Sequence, residues 1–124
     1  MTAAEERTVS LGGREWTLRP TFRVVAAAEH AAGMGAYALG LRIASAECRV
    51  GELATVLHAM IGASGEKQPK VDEIGTAMME EGITTVVGAM ADILLRAFQG
   101  NKAWRAAQAE REKEAAEPAS DPLA

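Results

Sequence analysis

A chain of 124 residues, 48% hydrophobic and 24% charged, has apolar surface for one modest core, so a single small domain is expected rather than two. Its 13 Lys and Arg against 17 Asp and Glu leave a net charge of −4, and no window joins a dense basic cluster to aromatic residues, which argues against nucleic-acid binding. One cysteine, Cys48, cannot form an internal disulfide, and neither a secretory h-region nor an apolar run of about 20 residues is present, so a cytoplasmic protein without membrane contact is expected.

Residues 1–7 are polar and are expected to fray. Val9 and Leu11 on one side of Gly12-Gly13, and Trp16 and Leu18 on the other, alternate with polar neighbours, the period-two pattern of a half-buried hairpin. The two glycines suit a type I′ or II′ turn. Pro20 ends the ladder, and Thr21 is placed to cap a helix running to Ala32, with Gly33 as its stop. A second helix is expected over Ala36–Ala46. Its Tyr37, Leu39, Leu41 and Ile43 do not share one stripe, which predicts cover on more than one side.

Leu53, Val56, Leu57, Met60 and Ile61 repeat at i, i+3, i+4, i+7, i+8 and predict an amphipathic third helix closing at Gly62 or Gly65. Pro69 suits a first helical position, so a fourth helix is expected over Pro69–Glu81 with Val71, Ile74 and Met78 inward. Thr84 is the expected cap of a fifth, whose Val86, Val87, Met90, Ile93, Leu94, Ala97 and Phe98 make a wide apolar face ending at Gly100. These last three helices are the expected core. Beyond Gly100 only Trp104 is large and apolar, so 101–124 should be a charged, solvated helix, with Asn101 a possible cap, and a disordered end from Pro118. Alanine is abundant and only 4% of residues are aromatic. The expected fold is therefore mostly α within the α+β class: residues 1–100 form a two-stranded hairpin on about five close-packed helices.

Polar groups that could act together are scarce. Glu29 and His30 are adjacent, but neighbouring helical side chains point about 100° apart. His58 lies beside core positions of the third helix, and neither histidine sits in an HxxxH or HExxH setting. Cys48 lies between Glu47 and Arg49, and an arginine nearby would lower its pKa, yet no base is identifiable. Gly12-Gly13 lacks the surroundings of a phosphate loop. No catalytic residue, cofactor or metal is therefore assigned. Three side chains are candidates for partner binding: Met79, out of phase with Ile74 and Met78; Met34, in a Gly-Met-Gly turn; and Trp104, either a ring laid on the fifth helix near Phe98 or an exposed anchor.

The run Leu11-Gly12-Gly13-x-x-Trp16-Thr17-Leu18-x-Pro20-Thr21-Phe22, with Glu29, Gly33-x-Gly35, Leu53–Ala63 and Ile93–Gly100, resembles the gene transfer agent tail proteins usually called tail assembly chaperones. The resemblance spans roughly Val9–Gly100 and carries no chemistry. It implies a non-enzymatic role in tail morphogenesis, holding tape-measure or tail-tube subunits ready for assembly, with homo-oligomerisation as a further possibility. The alternatives are a structural component of the tail tube or its terminator, and a small metal-dependent regulator or enzyme built on Glu29, His30 and His58.

Overall fold

The computed structural model describes residues 5–116. Their elements are β1 (Arg7–Leu11), β2 (Arg14–Leu18), α1 (Phe22–Ala32), α2 (Ala36–Ala44), α3 (Val50–Ala63), α4 (Val71–Glu81), α5 (Thr84–Gln99) and α6 (Asn101–Ala116). The protein is thus mostly helical with an N-terminal hairpin, the expected class.

The strands pair antiparallel with Val9 opposite Trp16 and Leu11 opposite Arg14. Gly12 and Gly13 both have positive φ, 59° and 74°, so the turn is type I′, whose twist matches that of the strands. Val9, Leu11, Trp16 and Leu18 are buried, while Ser10, Arg14 and Glu15 face out. β1 lies on α5 and α4, and β2 on α3. On the β2 side and at the turn, N–H groups are taken by the protein itself: Thr17 donates to Glu66 Oε1 at 3.1 Å, Arg19 to Ser64 Oγ at 3.1 Å, and Gly12 to the Glu81 carboxylate. The N-terminal stretch is more ordered than expected, since Arg7 opens β1 and Glu5 is buried.

Thr21 caps α1, its hydroxyl accepting from the Val24 N–H at 3.3 Å, and Gly33 stops it at φ 68°. The second helix is shorter than expected. It ends at Ala44, where Ala46 turns left-handed (φ 57°) and the Glu47 N–H reaches the Arg42 carbonyl at 2.9 Å. It is also covered on one side only. Ala36, Leu39, Gly40 and Ile43 are buried, whereas Tyr37 and Leu41 remain about half exposed. The stripe exists at i, i+3, i+4, i+7, but two of its members are small residues, which makes it inconspicuous in the sequence.

The α3 stripe is buried in full, as its spacing predicts. α4 starts at Val71, not Pro69. Lys70 is extended at ψ 149°, and Pro69 lies under the hairpin, lining a cleft with Leu11, Trp16 and Ile74. Thr84 is the first residue of α5 rather than its cap; Ile83 holds that position, and the neighbouring Thr85 hydroxyl donates to the Gly82 carbonyl at 3.3 Å. Asn101 likewise does not cap its helix. Its Nδ2 donates to the Pro20 carbonyl at 2.7 Å, tying the start of α6 to the entry of α1. Residues 1–4 and the expected disordered end lie outside the described residues.

The core is wider than the last three helices. α2 packs on α5 and α1 on α3, with α4 completing α3 and the hairpin laid over α3, α4 and α5. The α2–α5 approach is close at Gly40, where an added Cβ would stand 2.9 Å from Leu95 Cγ and 3.3 Å from Leu94 Cβ. Gly40→Val should therefore destabilise the fold by about 1–3 kcal/mol despite the better helix propensity, measurable as an earlier urea midpoint at unchanged slope.

Candidate interaction surfaces

Glu29, on α1, accepts the Ala36 N–H at 2.8 Å through Oε2. It thereby caps α2 across the Gly33-Met34-Gly35 turn, supplying the side-chain acceptor that Gly35 cannot. His30 is exposed. His58, half-buried on α3, meets Gln68, whose Nε2 donates to the His58 carbonyl at 2.8 Å and stands 3.4 Å from Nδ1. Burial pushes the Cys48 thiol up, a hydrogen bond with Glu52 and that carboxylate's charge push it further, and Arg42 only partly opposes them. The expected arginine effect is thus outweighed, and the thiol is held protonated rather than activated. Among the described residues no three His, Cys, Asp or Glu side chains lie where they could share a metal ion.

The most concentrated chemistry sits on α5 at Arg96, only 3% exposed although it falls within the last two turns of the helix. Its guanidinium donates to Asp92 Oδ2 at 2.7 Å and to the Glu5 carbonyl, and the Trp104 ring covers it at 3.5 Å. Arg7 adds a second bond to Asp92 Oδ2 at 2.8 Å, and Arg105 pairs with the Glu5 carboxylate. Burial pushes the Asp92 carboxyl up, but the hydrogen bonds and charges of Arg96 and Arg7 outweigh it and hold the pKa below the usual value. This network joins the chain start, α5 and α6, so it reads as a structural clasp. Nothing in the period of α5 announces it.

Of its two expected placements Trp104 takes the ring laid on the fifth helix, over Arg96, where it is half-buried, and not the exposed anchor. Met34 is half-buried against the core, with Arg42 Nη1 3.5 Å from its sulfur. Met79 is 74% exposed.

Two apolar surfaces are open. At one end of the α1, α2 and α5 cluster, Phe22 is 88% and Phe98 75% exposed. Phe98 stacks on Tyr37 with centroids 4.6 Å apart, Leu41 follows one turn along α2, and Phe22 and Ala97 border a cleft of about 250 Å³ floored by Val25 and Ile93. The inward position expected for Ala97 and Phe98 is overturned. Leu94 and Leu95 meet Gly40 in the α2 seam, but one turn on Ala97 and Phe98 are exposed, with Phe98 stacked on Tyr37 at the rim of that seam. The second surface is a groove of about 500 Å³ between α3 and α4, floored by Gly51, Ala54 and Gly75 and bordered by Val50, Met79 and Asp72.

No curated protein and no solved structure matches this chain in comparison. A family model described as phage tail tube protein, GTA-gp10, matches residues 4–100. That stretch takes in the hairpin and α1–α5, well over half of the chain and nearly the same span as the Val9–Gly100 resemblance. This protein therefore belongs to the phage tail tube protein, GTA-gp10, family.

Proposed function

We propose that this tail protein acts as an assembly chaperone in the bacterial cytoplasm, holding a tape-measure or tail-tube subunit by its apolar segments until it polymerises. The observation that carries this reading is the exposed Phe22, Tyr37, Leu41 and Phe98 surface, unusual in a chain with so few aromatic residues. Strand addition along β2 is disfavoured, because Thr17 and Arg19 already spend their outward N–H groups on Glu66 and Ser64. A helical surface is the better docking face. The function needs no turnover chemistry: Glu29 is engaged as a cap, and the Cys48 thiol is unactivated.

The description of the family favours a second reading, a subunit of the tube itself. Particle composition separates the two. A chaperone is expected to co-purify with a tail subunit from cells making the particle and to be missing from finished particles; many copies per particle would establish the tube reading instead. The double variant Phe22→Ser, Phe98→Ser should keep the parent melt, since both rings are mostly exposed, and weaken co-purification by roughly tenfold or more. Unchanged capture by this variant would remove the aromatic surface from the mechanism.

A further inference from the structure

We propose that Gly100 is a hinge, at which α5 and α6 pass between their bent arrangement and one continuous helix, and that the swing opens the cleft beside Phe22. The hinge stands without the chaperone reading; only the use of the opened cleft by a partner rests on it.

A single residue separates the two helices, since α5 ends at Gln99 and α6 begins at Asn101. Gly100 sits at φ 91° and ψ 146°, a conformation nearly confined to glycine. Nothing stands within 4 Å of where its Cβ would be, so the glycine serves the backbone and not a close approach. On both sides the sequence keeps one helical phase. Counted at about 100° per residue straight through Gly100, the residues Val86, Met90, Ile93, Ala97 and Trp104 fall within about 60° of one another. In a continuous helix Trp104 therefore extends the apolar stripe of α5. In the bent form the ring leaves that phase and lies over Arg96.

The bend is lightly held. α6 has no buried residue among those described, and its attachments lie in its first five residues: Asn101 to the Pro20 carbonyl, Trp104 over Arg96, and Arg105 to the Glu5 carboxylate. Past Arg105 it makes no tertiary hydrogen bond or ion pair among the described residues; Arg111 bonds Gln108 on the same helix. Two costs oppose these attachments. The bend denies the N–H groups of Asn101, Lys102 and Ala103 the carbonyls of Ala97, Phe98 and Gln99 that a continuous helix supplies, and Gly100 has no side chain to cap them. It also leaves Arg96 Nε buried with no acceptor among the described residues. Straightening lifts Trp104 from this guanidinium and admits water to it.

The swing is tied to the proposed docking face. Gly100 and Asn101 line the same cleft as Phe22, Val25, Ile93 and Ala97, and the Asn101 bond to Pro20 joins two of its lining residues. Carrying Asn101 away widens the cleft and adds Trp104 to the exposed apolar surface. On the chaperone reading, this open form is the one that holds a partner's apolar segment.

Spin labels at Thr85→Cys on α5 and Glu112→Cys on α6, both exposed positions, test the hinge in the full-length chain carrying Cys48→Ser. An unbroken helix from Thr85 to Glu112 sets their backbones about 40 Å apart, and any bend at Gly100 brings them closer. The parent is expected to show a shorter main distance with a minor population near the long one. Gly100→Ala should raise the long population roughly fivefold or more, because alanine is strained at positive φ and favoured within a helix. Asn101→Ala with Arg105→Ala, which removes two attachments and leaves the hinge intact, should raise it too, and both variants should co-purify with more tail subunit than the parent. A distance distribution like the parent's in either variant would overturn the hinge. A raised long population with unchanged capture would overturn the opening of the cleft, whereas no capture by parent or variants, with the long population raised, would overturn the chaperone reading and leave the hinge standing.

Discussion

Trp16→Ala should destabilise the protein by about 3–5 kcal/mol, the range for removing a buried large aromatic and leaving a cavity. Trp16 is 5% exposed, lines a cleft with Leu11, Pro69 and Ile74, and lies under the Arg14 guanidinium at 5.2 Å. A two-stranded ribbon has little stability of its own, so the hairpin holds its place through this ring, Val9, Leu11 and Leu18. The loss should extend beyond the ring, since Glu66, Ser64 and Glu81 would then face a loosened strand. Equilibrium urea unfolding checks it. A midpoint near that of the parent would show that the ribbon is dispensable to the core.

Arg96→Ala should be of similar size, about 3–5 kcal/mol, because removing one partner from a buried ionic group leaves the others uncompensated. Asp92 would keep only Arg7, the Glu5 carbonyl would lose a donor, and Trp104 would lose the cation beneath it. The same cluster sets an acid sensitivity. The Asp92 pKa is lowered in the folded state, so its contribution is present above the unfolded value of about 3.9 and is lost as pH falls through the lower folded value. Between pH 5 and pH 2 the parent should therefore lose more stability than Asp92→Asn, which starts lower and has no such titration. Equal acid slopes for the two would show that Asp92 is not the titrating group.

We propose that residues 1–100 fold without 101–124. Cutting after Gly100 removes the Trp104 cover of Arg96, the Arg105 bond to Glu5 and the Asn101 bond to Pro20, but no buried apolar side chain among the described residues. A loss of about 1–3 kcal/mol with a cooperative melt retained is expected. An insoluble or non-cooperative product would place α6 within the folding unit.

The features legible in the chain are those decided within a few residues. The Val9, Leu11, Trp16, Leu18 alternation around two glycines could only be a hairpin with one buried face, and only the twist-matched turn type was left to the structure. Leu53 to Ile61 announced α3, and Thr21 and Gly33 announced both ends of α1, because caps and stripes act at i+3 and i+4.

What tertiary structure decided depends on partners remote in sequence. Glu29 reads as half of a weak acid and imidazole pair until α2 turns back and presents the Ala36 N–H. Gly40 and Ala36 carry no hydrophobic signal, yet α2 turns that face to α5, since close approach selects small residues that hydrophobicity overlooks. Arg96 is buried because Glu5, Asp92 and Trp104 converge on it from three parts of the chain, and Phe98 is exposed because it lies at the rim of the α2 seam, where only the Tyr37 ring is stacked on it among the described residues. Local periodicity determined which faces of the helices were apolar; the crossings of those helices, which no local rule encodes, determined where those faces found cover and where they were left open for a partner.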